Sequence, residues 1–290
     1  MKRLRSLFAP IPAVIVLTLT AIPAGGNSME PNRNLPFAPG ERLAYEILWE
    51  TVPAGHAAIQ VCPMEEKDGV PIHHFAVEIR TNPAIDRLYR VRGRIDGWAD
   101  LSINRSLKLV NDMKAGGKPK QFEVDFDWDQ SRALYRRNEE RKNRSIPLEE
   151  STLDLVSALY FARSQPLREG MRISRTVNNG KRMYRMTAEV FGRETITVDG
   201  SQWEAFRIAP RIVKLNGRSR RRPIDLQVWI SADTRRLPLR VVAKLPLGRF
   251  IVELRNPDSD HFFFSEARQP PTGVATGLRT LLTSRACSVM

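Results

Sequence analysis

From Leu43 onward the chain alternates apolar and polar residues with the period of two that a half-buried strand requires. Leu43, Tyr45, Ile47 and Trp49 share one face, and Ala57, Ile59 and Val61 follow a turn at Pro53 and Gly55, which predicts a hairpin. Similar runs predict strands over 72–81, 91–101, 107–114, 121–129 and 132–138. A single helix is expected over 152–163, capped by Ser151 with Asp154 reaching back. Its residues Leu155, Leu159 and Ala162, adjoined by Val156 and Tyr160, form a stripe suited to packing on a sheet, and Pro166 ends it. Strands then resume over 171–177 and 181–190 around Asn178, Asn179 and Gly180, and over 193–198, which turns at Asp199 and Gly200 into 203–212. The last runs are 224–231, 237–245 and 249–255. About a dozen or more strands around one helix make an all-β chain, and a sheet of that size must curl, close or split, because twist accumulates and open edges invite mispairing.

The ends of the chain read differently. Lys2, Arg3 and Arg5 precede an uncharged apolar stretch from Leu7 to Ile22, and the small residues Ala21, Ala24, Gly25 and Gly26 follow it. That order is a secretory signal peptide, 1–24, cut after Ala24, and Pro10, Pro12 and Pro23 disfavour a spanning helix in its place. No cysteine stands at the cut, so the expected product is not a lipoprotein; it is a periplasmic protein with no transmembrane helix once processed. Residues 25–39, rich in Asn, Pro, Ser and Arg, read as a linker, 40–255 as one β domain, and 256–290 as a flexible tail.

Composition adds a partner class. Hydrophobic residues at 42% and charged residues at 27% are those of a folded globular protein. The net charge of +14, from 46 Lys and Arg against 32 Asp and Glu, loses only Lys2, Arg3 and Arg5 with the signal, so the remaining chain is still basic. It points to anionic lipid headgroups, polysaccharide or another acidic component of the envelope, and export excludes nucleic acid.

Candidate chemistry is sparse. Residues 122–129 set Glu123, Asp125, Asp127 and Asp129 on one face and Phe122, Val124, Phe126 and Trp128 on the other. Same-face carboxylates on a strand lie too far apart to chelate a cation unaided, so a ladder with Arg132, Arg136 and Arg137 is the simpler reading. Basic residues cluster at Arg136, Arg137, Arg141, Lys142 and Arg144, and again at Lys214, Arg218, Arg220, Arg221 and Arg222, both read as loops suited to anion contact. Cys62 and Cys287 are the two cysteines and form either one disulfide or two separate thiols. His56, His73, His74 and His261 have no zinc-site spacing, with His73 and His74 on opposite faces of a strand. No nucleophile turn, metal-hydrolase pair or phosphate-binding glycine loop occurs, so neither a catalytic residue nor a cofactor is assigned. Carboxylate pairs such as Glu46 and Glu50 are of a kind any chain of this size offers by chance, and the five tryptophans read first as core.

Several segments together carry a resemblance. They are Phe37-Ala38-Pro39-Gly40-Glu41-Arg42-Leu43-Ala44-Tyr45 continuing through Trp49 to Ala54 and Gly55; Asp154-Leu155-Val156-Ser157-Ala158-Leu159-Tyr160-Phe161-Ala162-Arg163 followed by Pro166, Leu167 and Gly170; Val228-Trp229-Ile230-Ser231-Ala232-Asp233 before Arg236, Leu237 and Pro238; and the closing strand after Gly248. In order and spacing they resemble the DUF3108 family of exported bacterial proteins of unknown function. The resemblance implies a periplasmic, strongly curved antiparallel sheet, barrel-like or a β-spiral, with one packed helix and no established activity; the basic loop 214–222 is not part of it. The leading functional expectation is a non-enzymatic protein supporting the cell envelope by binding another envelope component. The alternatives are a carrier of an apolar ligand, such as a lipid, in the sheet's concavity, and an enzyme acting on envelope glycans.

Overall fold

The computed structural model describes residues 35–137, 143–215 and 224–255. The expected signal peptide, the first part of the expected linker and the expected tail lie outside the described residues.

The first half of the chain contributes β1 (Arg42–Trp49), β2 (Val52–Val61), β3 (Glu65–Lys67), β4 (Val70–Thr81), helix α1 (Pro83–Tyr89), β5 (Val91–Ala99) and β6 (Ser106–Ala115). Next come β7 (Lys118–Pro119), β8 (Phe122–Asp127), β9 (Arg132–Arg136), β10 (Arg144–Pro147), β11 (Thr152–Asp154) and helix α2 (Leu155–Ser164). The remainder is β12 (Arg172–Asn178), β13 (Met183–Val198), β14 (Ser201–Lys214), β15 (Asp225–Ser231), β16 (Pro238–Leu245) and β17 (Gly248–Leu254).

Antiparallel registers run in series from β10 through β9, β8, β6, β5, β4, β2 and β1, then across to β17 and down through β16, β15, β14 and β13 to β12. The short β3 and β7 attach to β4 and β6, and β11 joins β12 in parallel. This all-β sheet does not close. It curls far enough, however, that β11 meets β6: the Ser106 hydroxyl donates to Asp154 Oδ2 at 2.5 Å, and the Asp154 N–H donates back to Ser106 Oγ at 2.7 Å.

Strand alternation decides what lies inside the curl. The register stacks Leu43, Ile59, Val77 and Ile95 in one inward row and Tyr45, Ala57, Ile79 and Gly93 in the next. Helix α2 fills the concavity, buried at every residue from Leu155 to Arg163. Its Tyr160 stacks on Phe75 at 3.9 Å and meets Phe37 edge-on at 5.0 Å. A helix buried all round is a plug, not a surface helix resting on a sheet.

The helix also begins later than its sequence suggests. Ser151 has φ +60°, whereas an N-cap needs an extended backbone, and Thr152–Asp154 pair with Thr176–Asn178 as β11. Asp154 is the cap, and its Oδ1 accepts from the N–H of Val156 at 2.7 Å and of Ser157 at 3.0 Å. Helix α1 is a second helix not expected from the pattern. Tyr89 is its buried residue, so seven residues carry no apolar period, although Asn82 capping Ile85 N–H and Pro83 in the first turn mark a helix start.

The expected strands 181–190 and 193–198 are one strand, β13, in which the register shifts between Val190 and Arg193. β3, β7, β10 and β11, of two to four residues each, are too short to show a period. Finally, residues 35–39, read as the end of a linker, are built into the fold. Phe37 is buried in the core cluster, and the Gly40 N–H donates to the Val61 carbonyl at 2.9 Å.

Where the sheet meets the cap there is no room to spare. A Cβ on Gly97 of β5 would stand 2.6 Å from Asp154 Oδ1. Gly97→Ala is therefore expected to lower stability by about 1–3 kcal/mol, read as a drop in the urea midpoint. An unchanged midpoint would mean that the strand and the cap are not in contact.

Candidate functional site

On the outward face, the same registers align Glu46 of β1, His56 of β2, Arg80 of β4 and Arg92 of β5 side by side. Arg255, just past β17, donates its N–H to the Ala44 carbonyl at 2.9 Å and so arrives at the same place from the far end of the chain. The small Ala44 leaves a recess between these long side chains, and Thr81, Asn82 and Pro83 at the start of α1 wall it. The cleft has a volume of about 290 Å³ and is lined by Ala44, Tyr45, His56, Ala57, Arg80, Thr81, Asn82, Pro83, Arg92 and Arg255. Four of these are cationic or titratable bases, and none is a carboxylate.

The rim holds the arginines in place. Arg92 Nη2 donates to Asp86 Oδ2 at 2.6 Å, and its Nη1 donates to Thr81 Oγ1 at 3.0 Å. Arg255 reaches Asp199 Oδ1 at 2.7 Å and Glu46 Oε2 at 2.5 Å, while its buried Nε has no hydrogen-bond partner. Burial holds the His56 imidazole below its ordinary value of 6.5; Glu46 acts to raise it, and Arg80 and Arg255 to lower it. A base kept neutral among cations favours any arriving negative charge.

A second polar group on this face is an ion chain. Arg42 pairs with Glu78 at 3.2 Å, Glu78 with Arg94 at 3.0 Å, and Arg94 with Asp96 at 2.8 Å. His74 lies between Asp96 and Glu65, each at 2.8 Å, stacked on Trp98 at 4.3 Å, and Trp98 Nε1 donates to Glu65. Its charges satisfy one another, so it fastens β3 over the sheet. His73 points the other way and packs on Phe75 at 5.5 Å, where burial lowers its basicity. Among the described residues no group of three or more His, Cys, Asp or Glu is placed to hold a metal ion.

Apart from His56, the described residues singled out in the sequence fall elsewhere. Arg136 on β9 pairs with Asp125 and, at 3.7 Å, with Glu123, while Arg132 pairs with Asp127 at 3.4 Å, so the acidic face of β8 forms a cross-strand charge ladder. Arg137 follows β9 at the strand's end, distant in register from the cleft. Arg141, Arg218, Arg220, Arg221 and Arg222 lie outside the described residues, as does Cys287. Cys62 is buried, and its sulfur accepts from Arg94 Nη2 at 3.7 Å. Trp49 stacks parallel to Phe250, and Trp128 donates to the Ser106 carbonyl at 2.8 Å, both as parts of the packing. Sequence reading missed the cleft residues, although one signal was present: two strands joined by a short Asn-Pro helix are antiparallel neighbours, which sets Arg80 against Arg92. Arg255 had no such signal.

Among solved structures, the chain is similar to a beta-barrel-like protein of domain of unknown function DUF1849 from Brucella abortus, with 8% identity and a TM-score of 0.47 over 73% of this chain and 94% of that one. It is also similar to a protein from Bacteroides fragilis described as exported with a YmcC-like fold (8% identity, TM-score 0.35, 76% and 96% covered). A third is a protein from Parabacteroides distasonis described as a lipoprotein (11% identity, TM-score 0.35, 75% and 94% covered). No curated protein matches the chain. The family model described as "Protein of unknown function (DUF3108)" matches residues 44–255, a span that takes in α2, its Asp154 cap and all four basic residues of the cleft. The chain belongs to the DUF3108 family.

Proposed function

We propose that this is a non-enzymatic protein of the periplasm, delivered by a cleaved signal peptide, that supports the cell envelope by holding another envelope component on its outward face. The observation that carries this reading is the filled concavity. With α2 buried at every position from Leu155 to Arg163 in the hollow of the sheet, contact with a partner falls to the outer surface, where the cationic cleft lies. The excess of Lys and Arg over Asp and Glu, which outlasts the loss of the signal, favours an anionic partner there.

The same observation removes the support for a lipid carried within the sheet, since aromatic rings already occupy that space. Glycan hydrolysis gains no acid–base pair from the cleft, and Glu46 and Glu50 are engaged by Arg255 and Arg249. Among the described residues no helix is long and apolar enough to cross a membrane.

The reading is tested by fractionating cells, sequencing the amino terminus of the resident protein, and capturing partners from envelope extracts. Expected are a periplasmic protein beginning after Ala24, one enriched envelope component, and increased detergent sensitivity on deletion. A cytosolic, unprocessed chain, or capture with no enriched component and an unaltered envelope, would overturn it.

A further inference from the structure

We infer that the cleft between β1, β2, β4 and α1 is a binding site for a phosphate group, carried either by a lipid headgroup or by a small phosphorylated solute, with Arg80, Arg255 and His56 as its contacts. The inference rests on the binding role proposed above and gives that role its chemistry.

Shape and charge lead to the same class of ligand. A volume of about 290 Å³ sits at the small end of the range for small-molecule sites, which suits a headgroup-sized moiety and not a chain. Arg80 and His56 are direct neighbours across the β2–β4 register, and Arg255 closes the recess from the β17 side. Planar guanidinium groups on two walls match tetrahedral oxyanion geometry, the arrangement for which arginine is suited. Glu46 pairs with Arg255 and Asp86 with Arg92, and neither carboxylate lines the recess. The buried, unpartnered Nε of Arg255 is one donor that an incoming oxygen would satisfy.

The charges around His56 give the site a pH signature. The groups facing it are Glu46 from β1, Arg80 from β4 and Arg255 beyond β17. Burial and the two arginines keep the free imidazole below its ordinary value, and a bound anion offsets them, so binding takes up a proton and tightens as pH falls. A phosphodiester headgroup holds one negative charge throughout this window, so its pH dependence reports on the imidazole alone.

The test follows the His56 ring signals by NMR during titration with inorganic phosphate and with glycerol 3-phosphate. Retention on phosphatidylglycerol vesicles is measured in parallel against phosphatidylcholine vesicles. Expected are a saturable shift and an affinity about tenfold weaker in Arg80→Gln. Saturation by the soluble phosphates without vesicle retention assigns a solute. Arg80-dependent retention on phosphatidylglycerol, tighter at about pH 6 than at about pH 8 and without that slope in His56→Gln, assigns a headgroup. Thermal melting of both variants separates lost binding from lost folding, and His56→Gln stands in should Arg80→Gln fail to fold. No saturable shift, together with equal vesicle retention by altered and unaltered protein, overturns the site. If Arg80→Gln still captures the same envelope component, the cleft is wrong and the wider binding role stands; if the unaltered protein captures nothing, the wider role itself fails.

Discussion

Arg163→Ala is expected to remove about 3–5 kcal/mol of folding stability, which for a domain of ordinary marginal stability is enough to leave much of the chain unfolded. Arg163 is fully buried near the end of α2, and its guanidinium holds both Glu41 oxygens at 2.5 and 2.9 Å. It also donates to the carbonyls of Arg235 and Arg236, each at 3.1 Å. Arg236 answers by donating to the carbonyls of Arg163 at 3.2 Å and Ser164 at 3.1 Å, closing the helix's last turn. Phe37 and Tyr160 set their rings beside the group at 5.1 and 5.5 Å. One side chain thus ties the plug to the segment before β1 and to the turn between β15 and β16. Burial alone would make the guanidinium easier to deprotonate, but Glu41 more than compensates and keeps it charged. Alanine would strand Glu41 and two carbonyls, whereas pairing Arg163→Met with Glu41→Gln removes both charges and should recover part of the loss. Urea denaturation of the two single variants and the double gives the coupling directly. A loss below about 1 kcal/mol for Arg163→Ala would show that the tie contributes little, and hydrogen exchange at 36–41 and 232–237 should quicken if it contributes as argued.

Asp154→Ala is expected to cost about 3 kcal/mol, a helix cap plus the penalty of orphaned buried donors. The carboxylate accepts from two helix N–H groups and from the hydroxyls of Ser106 and Ser157, the latter at 2.6 Å, so it joins α2 to β6 across the curl. Asp154→Asn keeps an acceptor for the helix and should cost far less. The two variants also separate charge from shape. Burial raises the Asp154 carboxyl above its ordinary 3.8 despite these four hydrogen bonds. A carboxyl raised in the native state binds its proton more tightly there than when unfolded. Its contribution is therefore fully present below the unfolded value and is lost as pH rises through the native one. Stability of the unaltered protein should accordingly fall relative to Asp154→Asn as pH rises from about 4 toward neutrality. A constant difference between the two across that interval would mean that Asp154 is not buried as described.

Much of the sheet was legible in the sequence because alternation is a local property. Leu43, Tyr45 and Ile47, or Ile59 and Val61, declare their face without reference to any partner. The turns at Asn179-Gly180 and Asp199-Gly200 likewise join the strands expected around them. What stayed hidden depends on distant neighbours. Nothing near Thr152 says that β12 will claim its backbone, and so the cap moved from Ser151 to Asp154. Phe37 lies in a Pro-rich stretch and looks like linker until Tyr160 and Phe75, far along the chain, close around it. The cleft is the extreme case: His56, Arg80, Arg92 and Arg255 come from four parts of the sequence, and only the register between their strands makes them neighbours. The basic runs that drew attention instead are contiguous, which makes them easy to see, and Arg136 spends its charge on Asp125 and Glu123.

The pairing of β1 with β17 sets a timetable for assembly. Tyr45 has Leu254 as its partner, so the strand near the middle of the sheet lacks one of its two neighbours until nearly the whole domain has been delivered. While a ribosome still holds the last third of the polypeptide, the seam stays open and Arg163 lacks its turn at Arg235 and Arg236. Such non-local closure makes folding slow and late. A chain built this way stays loose for as long as it is being made and becomes rigid once its end is released.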